Sequence, residues 1–192
     1  MASQIDICNL ALTKLGDTNI SSITQNARPA KLLNQCYELM LEEVLRAYDW
    51  NFATGRAQLA RLDEDPIFGY DFQYSLPADY LKIRKFFNAY GAGFIRPQYE
   101  IEGRKLLTNE ETVQIIYTKK ITDTTYFDSL FISAFAARLA LEICESLTGK
   151  STLKQILYQE YQIIMAKASA TAYNEDTTEN DAPFIGYYDA RL

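Results

Sequence analysis

The sequence predicts an α+β protein: an antiparallel helical bundle built from the N- and C-terminal segments, a β-rich insertion between them, and an extended C-terminal arm. Three observations predict it. Apolar residues recur at helical intervals before residue 54 and again after residue 120. Between those limits they come in short aromatic and β-branched runs separated by Gly, Pro and Asp. Beyond residue 173 the chain is rich in acidic residues and carries Pro183 and Gly186. The resulting boundaries are 1–53 and 121–173 for the helical part, 54–120 for the insertion and 174–192 for the arm.

The first helix is expected to start at Ser3, whose hydroxyl can accept from a first-turn N–H, with Asp6 completing a capping-box spacing. Ile5, Cys8, Leu12 and Leu15 follow at helical intervals, and Gly16 supplies a C-terminal stop. A second helix is signalled by Asn26 as cap and Pro29 in the first turn; Leu33, Cys36, Tyr37, Met40, Val44 and Tyr48 form its apolar face. Six strands are expected next, over 57–62, 72–76, 81–88, 98–102, 105–107 and 112–118. Glu102-Gly103-Arg104 reads as a hairpin turn and Tyr90 to Gly93 as a flexible one. From Phe127 to Leu147 a helix is apolar on most of its circumference, which predicts a central position; its narrow polar stripe is Arg138, Glu142 and Glu145. After Thr148-Gly149-Lys150-Ser151 a fourth helix carries Leu153, Leu157, Tyr161, Ile164 and Ala168 inward. The run Ala166 to Ala172 is small enough to let another backbone approach. In the arm, Phe184, Tyr187 and Tyr188 are unusual for a solvated tail and point to docking on a neighbour.

The net charge of −6 leaves nucleic-acid binding to a local basic patch, and the basic residues occur only as scattered singles and short pairs. Cys8, Cys36 and Cys144 sit in apolar helical patterns with no CxxC spacing, which reads as reduced, buried thiols in a cytosolic setting. No window approaches the ~18 apolar residues of a membrane span, and the opening residues lack the pattern of a signal peptide, so no membrane anchor is expected.

Histidine is absent, which removes the commonest general base, the usual triads and the His-based metal sites. Carboxylate pairs occur at Glu42-Glu43, Asp63-Glu64-Asp65 and Glu110-Glu111, and a glycosidase needs only two such groups. Adjacent carboxylates on helices and turns are usually solvated surface, and that reading is preferred. Gly91-Ala92-Gly93 lacks the third glycine and the strand-to-helix setting of a dinucleotide fingerprint. Thr148 to Ser151 echoes the end of a phosphate loop, but Cys144 stands where its first glycine belongs, so it reads as a helix-to-helix turn. No catalytic, cofactor-binding or metal-binding residue is assigned. The aromatic load, 14 Tyr and 10 Phe, suits partly hydrated interfaces, with core packing as the competing use.

Four stretches together resemble the adaptor, or tail tubular protein A, family of short-tailed bacteriophages. They are SQIDICNLALTKLGDTNISSI; RAYDWNFATGRAQLARL, with Trp50 and Phe52 as a W-x-F leading into the first strand; YDFQYSLPADYLKIRKFF, centred on Leu76, Pro77, Asp79 and Leu81; and FDSLFISAFAARLALEICESLTG followed by a helix with Gln159-Glu160-Tyr161. The resemblance covers most of residues 3–175, and its motifs have structural meanings: core anchoring for Trp50 and Phe52, a turn for Leu76 and Pro77. It implies a non-enzymatic head-to-tail connector, made in the host cytoplasm and located in the virion tail. It implies a dodecameric ring of copies of itself between the portal protein and a nozzle like tail tubular protein B. Double-stranded DNA would pass through as cargo during ejection. Arg138, Glu142, Glu145, Phe184, Tyr187 and Tyr188 are the expected interface residues. A head-completion connector of a long-tailed phage, and a tail-associated cell-wall or capsule hydrolase using a carboxylate pair, are the competing readings.

Overall fold

The computed structural model of the protein describes residues 2–87 and 98–175. Helix α1 (Gln4–Leu15) begins with the expected capping box: Ser3 Oγ accepts from Asp6 N at 3.2 Å, and the Asp6 carboxylate accepts from Ser3 N at 2.8 Å. Gly16, at φ 69°, closes it in the left-handed region. Helix α2 (Arg28–Ala47) departs from expectation at its start. Ala27, not Asn26, is the N-cap, and no side chain caps it. The Ala27 N–H turns back onto the Gln25 carbonyl at 2.8 Å, leaving Asn26 outside the first turn, while Pro29 sits where its missing N–H costs nothing.

Helix α3 (Ser129–Thr148) starts two residues later than the apolar pattern does. Asp128 caps it by accepting from Phe131 N at 2.7 Å, so Phe127 packs against the core from the preceding turn. Gly149, at φ 64°, ends it, and α4 (Ser151–Glu175) follows at once, which makes Thr148 to Ser151 the helix-to-helix turn that was expected. Helix α4 continues past residue 173, the expected boundary of the arm. Helix α3 lies against α1, α2 and α4. Phe131, Phe135, Ala134, Ala136, Ala137, Leu139 and Ala140 are all fully buried on it, which is why its sequence is apolar nearly all round. The alanines permit close helix approach while the aromatics fill the gaps; truncating Phe131 to Ala would cost about 3–5 kcal/mol.

All six expected strands form: β1 (Thr54–Gln58), β2 (Phe72–Ser75), β3 (Tyr80–Phe87), β4 (Tyr99–Glu102), β5 (Lys105–Thr108) and β6 (Gln114–Lys119). They make two antiparallel three-stranded sheets, ordered β1-β6-β3 and β2-β5-β4. The first strand starts three residues before the expected one. Its pairing with β6 ends at Gln58, and the residues that follow cross to the other sheet, through Leu62 N to Gln73 O at 2.9 Å and a bridge between Arg61 and Tyr74. The β4–β5 turn takes Gly103 at φ 59°, as the Gly signal required. Tyr90 to Gly93 lie outside the described residues.

The protein is therefore a mixed α+β molecule, with two hydrophobic clusters among the described residues. The larger joins the four helices with Trp50, Ala53 and Leu81; the smaller joins Leu59, Tyr74, Leu76, Leu106, Val113, Ile115 and Tyr117 of the sheet region. Polar ties connect the two regions. Arg84 donates to Thr118 Oγ1, Thr54 Oγ1 and the Trp50 carbonyl, each at 2.8 Å, and Lys120 reaches Glu42 at 2.8 Å and Glu38 at 3.1 Å. No helix among the described residues is long and apolar enough to cross a membrane.

Candidate functional site

Arg138, Glu142 and Glu145 recur at helical spacing on α3, so the fold presents them along one edge of the most buried helix. Helix α2 brings Glu43 to the same place. Arg138 donates from Nε to Glu43 Oε1 and from Nη2 to Glu43 Oε2, both at 2.9 Å, and from Nη1 to Glu142 Oε2 at 2.9 Å. The arginine side chain is only 14% exposed, whereas both carboxylates reach solvent. Burial works against the guanidinium charge, and hydrogen bonding to the two glutamates outweighs it, so the Arg138 pKa is raised. Glu145 is paired instead with Lys154 of α4 at 2.9 Å; the hydrogen bond and the lysine charge lower the Glu145 pKa, and the hydrogen bond and the carboxylate charge raise that of Lys154.

Arg138, Glu142, Glu43 and Lys154 border an open groove of about 760 Å³ along α3 and α4, with Tyr158, Tyr161, Gln155 and Gln162 also on its walls; Glu145 stands outside it. Tyr161 is buried and its pKa is raised, by burial and by the charge of Glu43. Tyr158 is exposed. Every nitrogen of the Arg138 fork already donates to a carboxylate, so the groove is poorly suited to capturing an anion. What it offers is a mostly apolar surface whose charges are paired and whose walls carry amide and phenol groups, a composition suited to a protein contact. The sequence stripe carries Arg138, Glu142 and Glu145; Glu43 stood out in the sequence only as one of an adjacent carboxylate pair, and Lys154 and Tyr158 carry no local signal beyond their helix.

Trp50 and Phe52 fall at the junction of helices and sheet. A short 3-10 turn, Asn51–Ala53, separates Trp50 from β1. The indole N–H donates to the Val44 carbonyl at 2.8 Å, and the ring meets Tyr48 and Phe131 edge-on at 5.2 and 5.1 Å. Phe52 packs edge-on against Phe131 at 5.0 Å and reaches Phe127 at 5.7 Å. Such geometries favour aromatic pairs beyond simple burial. Leu76 is buried in the sheet cluster and Pro77 opens a turn whose carbonyl accepts from Tyr80 N at 3.1 Å. Asp79 then holds Tyr117 Oη at 3.0 Å and, through its carbonyl, Lys120 N at 2.7 Å. These residues anchor and turn the chain. Phe184, Tyr187 and Tyr188 lie outside the described residues.

Of the carboxylate pairs, Glu42 is bound to Lys120 and Glu43 to Arg138, so this pair is committed to structural ion pairs. No group of three His, Cys, Asp or Glu side chains that could hold a metal ion occurs among the described residues. The three cysteines are free thiols. Burial, reinforced by Cys36, pushes the Cys8 thiol up to about 12; burial, reinforced by Glu142, pushes Cys36 up to about 11. Both are poor nucleophiles at neutral pH. Neither a family model nor a curated protein sequence matches this chain.

Proposed function

We propose that the protein is a structural subunit of a bacteriophage head-to-tail connector, an adaptor that assembles with copies of itself into a ring between portal and tail nozzle. In this reading 1–53 and 121–173 pack as an antiparallel bundle, 54–120 project from it as a β-rich insertion, and 174–192 are an arm that straps a neighbour. The ring is a dodecamer located in the virion tail, and it works by assembly, without catalysis. Double-stranded DNA passes through it without being held, which accords with a net charge of −6.

The observation that carries the reading is the aromatic junction. The W-x-F motif of the resemblance, Trp50 and Phe52, converges with Phe131 of α3 where the helices pass into β1. The resemblance implies an anchoring role at that place in the chain. The α3–α4 groove supports the reading further, as a mostly apolar surface with paired charges of the kind that neighbouring subunits cover.

The deciding experiment is native mass spectrometry of the purified chain, alone and mixed with its candidate portal protein. A ring of defined stoichiometry on the portal is the expected result. A monomer that ignores the portal would overturn the reading and return attention to a carboxylate-dependent hydrolase.

A further inference from the structure

The loop between β1 and β2 carries two consecutive large apolar side chains almost wholly in water: Ile67 is 98% exposed and Phe68 85%. Scattered surface apolar residues are ordinary, but two together at a projecting tip carry an unusual solvation cost. The base of the loop is braced. Arg61 pairs with Asp65 at 2.9 Å and stacks over the Phe72 ring at 4.1 Å; Gln73 Nε2 donates to the Glu64 carbonyl, and Asp71 N to Asn109 Oδ1 at 2.9 Å. Pro66 precedes the tip and Gly69, at φ 90°, follows it. The tip is thus held out by a tied base, and exposed carboxylates of Asp63, Glu64 and Asp71 flank it.

A surface of matching character lies on the other sheet. Strand register places Arg56 of β1 and Lys85 of β3 on either side of Ile116 of β6; two residues along, Gln58 and Phe87 flank Gln114. Side chains directly opposite in adjacent antiparallel strands share a face, and the alternate residues Ile115 and Tyr117 are buried in the sheet cluster. This outer face bears a groove of about 320 Å³ with Arg56, Phe87, Gln114 and Ile116 on its walls. Ile116 and Phe87 give it apolar walls, the exposed Arg56 lines it, and the exposed Lys85 stands beside it, opposite Ile116 in the strand register.

We propose that the Ile67–Phe68 tip of one copy of this chain seats in the β1-β6-β3 groove of a second copy, with Asp63 and Glu64 meeting Arg56 and Lys85. Apolar tip and apolar walls, acidic flank and the neighbouring cations Arg56 and Lys85 are complementary, while the exposure of the tip means that it does not fill the groove of its own chain. Knob and groove are different surfaces, so each copy can give with one and receive with the other. Such a contact is heterologous and repeats around a ring. The inference rests on the self-assembly in the proposed function and names the surfaces that perform it.

The test replaces Phe68 in the full chain with p-benzoylphenylalanine. Equal amounts of light and isotope-labelled chain are mixed and irradiated, with and without the candidate portal, and cross-linked peptides are mapped by mass spectrometry. Mixed-isotope cross-links to the strands around Phe87, Gln114 and Ile116 are expected, lost in the Arg56→Glu/Lys85→Glu variant. Ile67→Asp should weaken self-association on the order of tenfold or more, with an unchanged circular dichroism spectrum because the site is in water. Cross-links elsewhere, to the portal, within one chain, or none at all would overturn the proposal. Portal-bound rings lacking this cross-link would remove the knob and leave the connector. The cross-link in assemblies that never engage a portal would do the reverse.

Discussion

Replacing Gly55 with alanine tests the packing of the β1-β6-β3 sheet at its tightest point. A methyl group at Gly55 would lie 2.6 Å from Cζ of Tyr117, 2.7 Å from its Cε1 and 3.0 Å from its hydroxyl oxygen. The Gly55 φ is not positive, so the backbone accepts alanine and the effect is steric alone. To restore ordinary contact the ring must retreat by about 1 Å, the gap between such an approach and the roughly 3.5–4.0 Å optimum for carbon atoms. Tyr117 cannot do this freely: it is buried in the sheet cluster and its hydroxyl donates to Asp79 at 3.0 Å. Overpacking costs about 1–3 kcal/mol and the strained hydrogen bond about 1 kcal/mol. The reduced freedom of the unfolded chain returns about 0.4–1 kcal/mol. The expected result is a net destabilisation of about 1–3 kcal/mol, read in urea as a lower midpoint at unchanged slope. Tyr117→Leu should remove most of the penalty, giving a strongly non-additive double-mutant cycle. A neutral or stabilising Gly55→Ala, or strict additivity with Tyr117→Leu, would refute the reasoning.

Three further outcomes are expected. The Tyr37 hydroxyl is buried with no hydrogen-bond partner among the described residues, so Tyr37→Phe should stabilise by about 0.5–1.5 kcal/mol, seen as a rise of a few degrees in Tm; a loss above 1 kcal/mol would show that the hydroxyl is satisfied. Folding holds the Cys8 thiol at about 12, above its ordinary 9.0, so the unfolded chain releases that proton first: the contribution is full below pH 9.0 and falls as pH rises from there toward 12. Cys8→Ala should flatten that alkaline decline in denaturation midpoints taken across the range, and an unchanged slope would contradict the assignment. Arg138→Ala leaves Glu43 and Glu142 facing each other without their shared cation, and should cost about 1–2 kcal/mol, reduced from a buried-pair value because both carboxylates reach solvent. Adding Glu43→Gln and Glu142→Gln should recover part of that loss in the same melt.

What the sequence made legible was local chemistry. The Ser3–Asp6 capping box, the Gly16 and Gly149 stops and the Gly103 turn each depend on residues within a few positions, and each formed where expected. The six strands were recognisable for the same reason, their composition. Partner choice was not legible. Pairing of β6 between β1 and β3 joins Gln58 to Gln114 and Phe87 to Gln114, contacts no periodicity encodes. Arg138 was read as part of a stripe on its own helix, yet its bidentate partner Glu43 lies on α2, far away in sequence. Asn26 has the residue type that favours a cap, while the turn at Ala27 decides the position. The projection of Ile67 and Phe68 has no sequence signature, because a Pro- and Gly-flanked segment reads as a loop whatever its tip carries.

Strand β3 belongs to both hydrophobic clusters: Leu81 packs with the helices, while Tyr80, Ile83 and Phe86 pack with the sheets. At the same strand Arg46 donates to the Leu81 carbonyl at 2.5 Å, and Lys82 reaches back to the Arg46 carbonyl at 3.1 Å. Mechanically, β3 is a beam shared by two otherwise separately packed bodies. A pull applied at the sheets enters the end of α2 along this strand and loads its ladder with β6. The register irregularities between Tyr80 and Lys82 and between Ile83 and Lys85 give that beam places to flex. Stiffness between the two bodies is therefore shared between this strand and the polar ties that Arg84 and Lys120 make to the helical side.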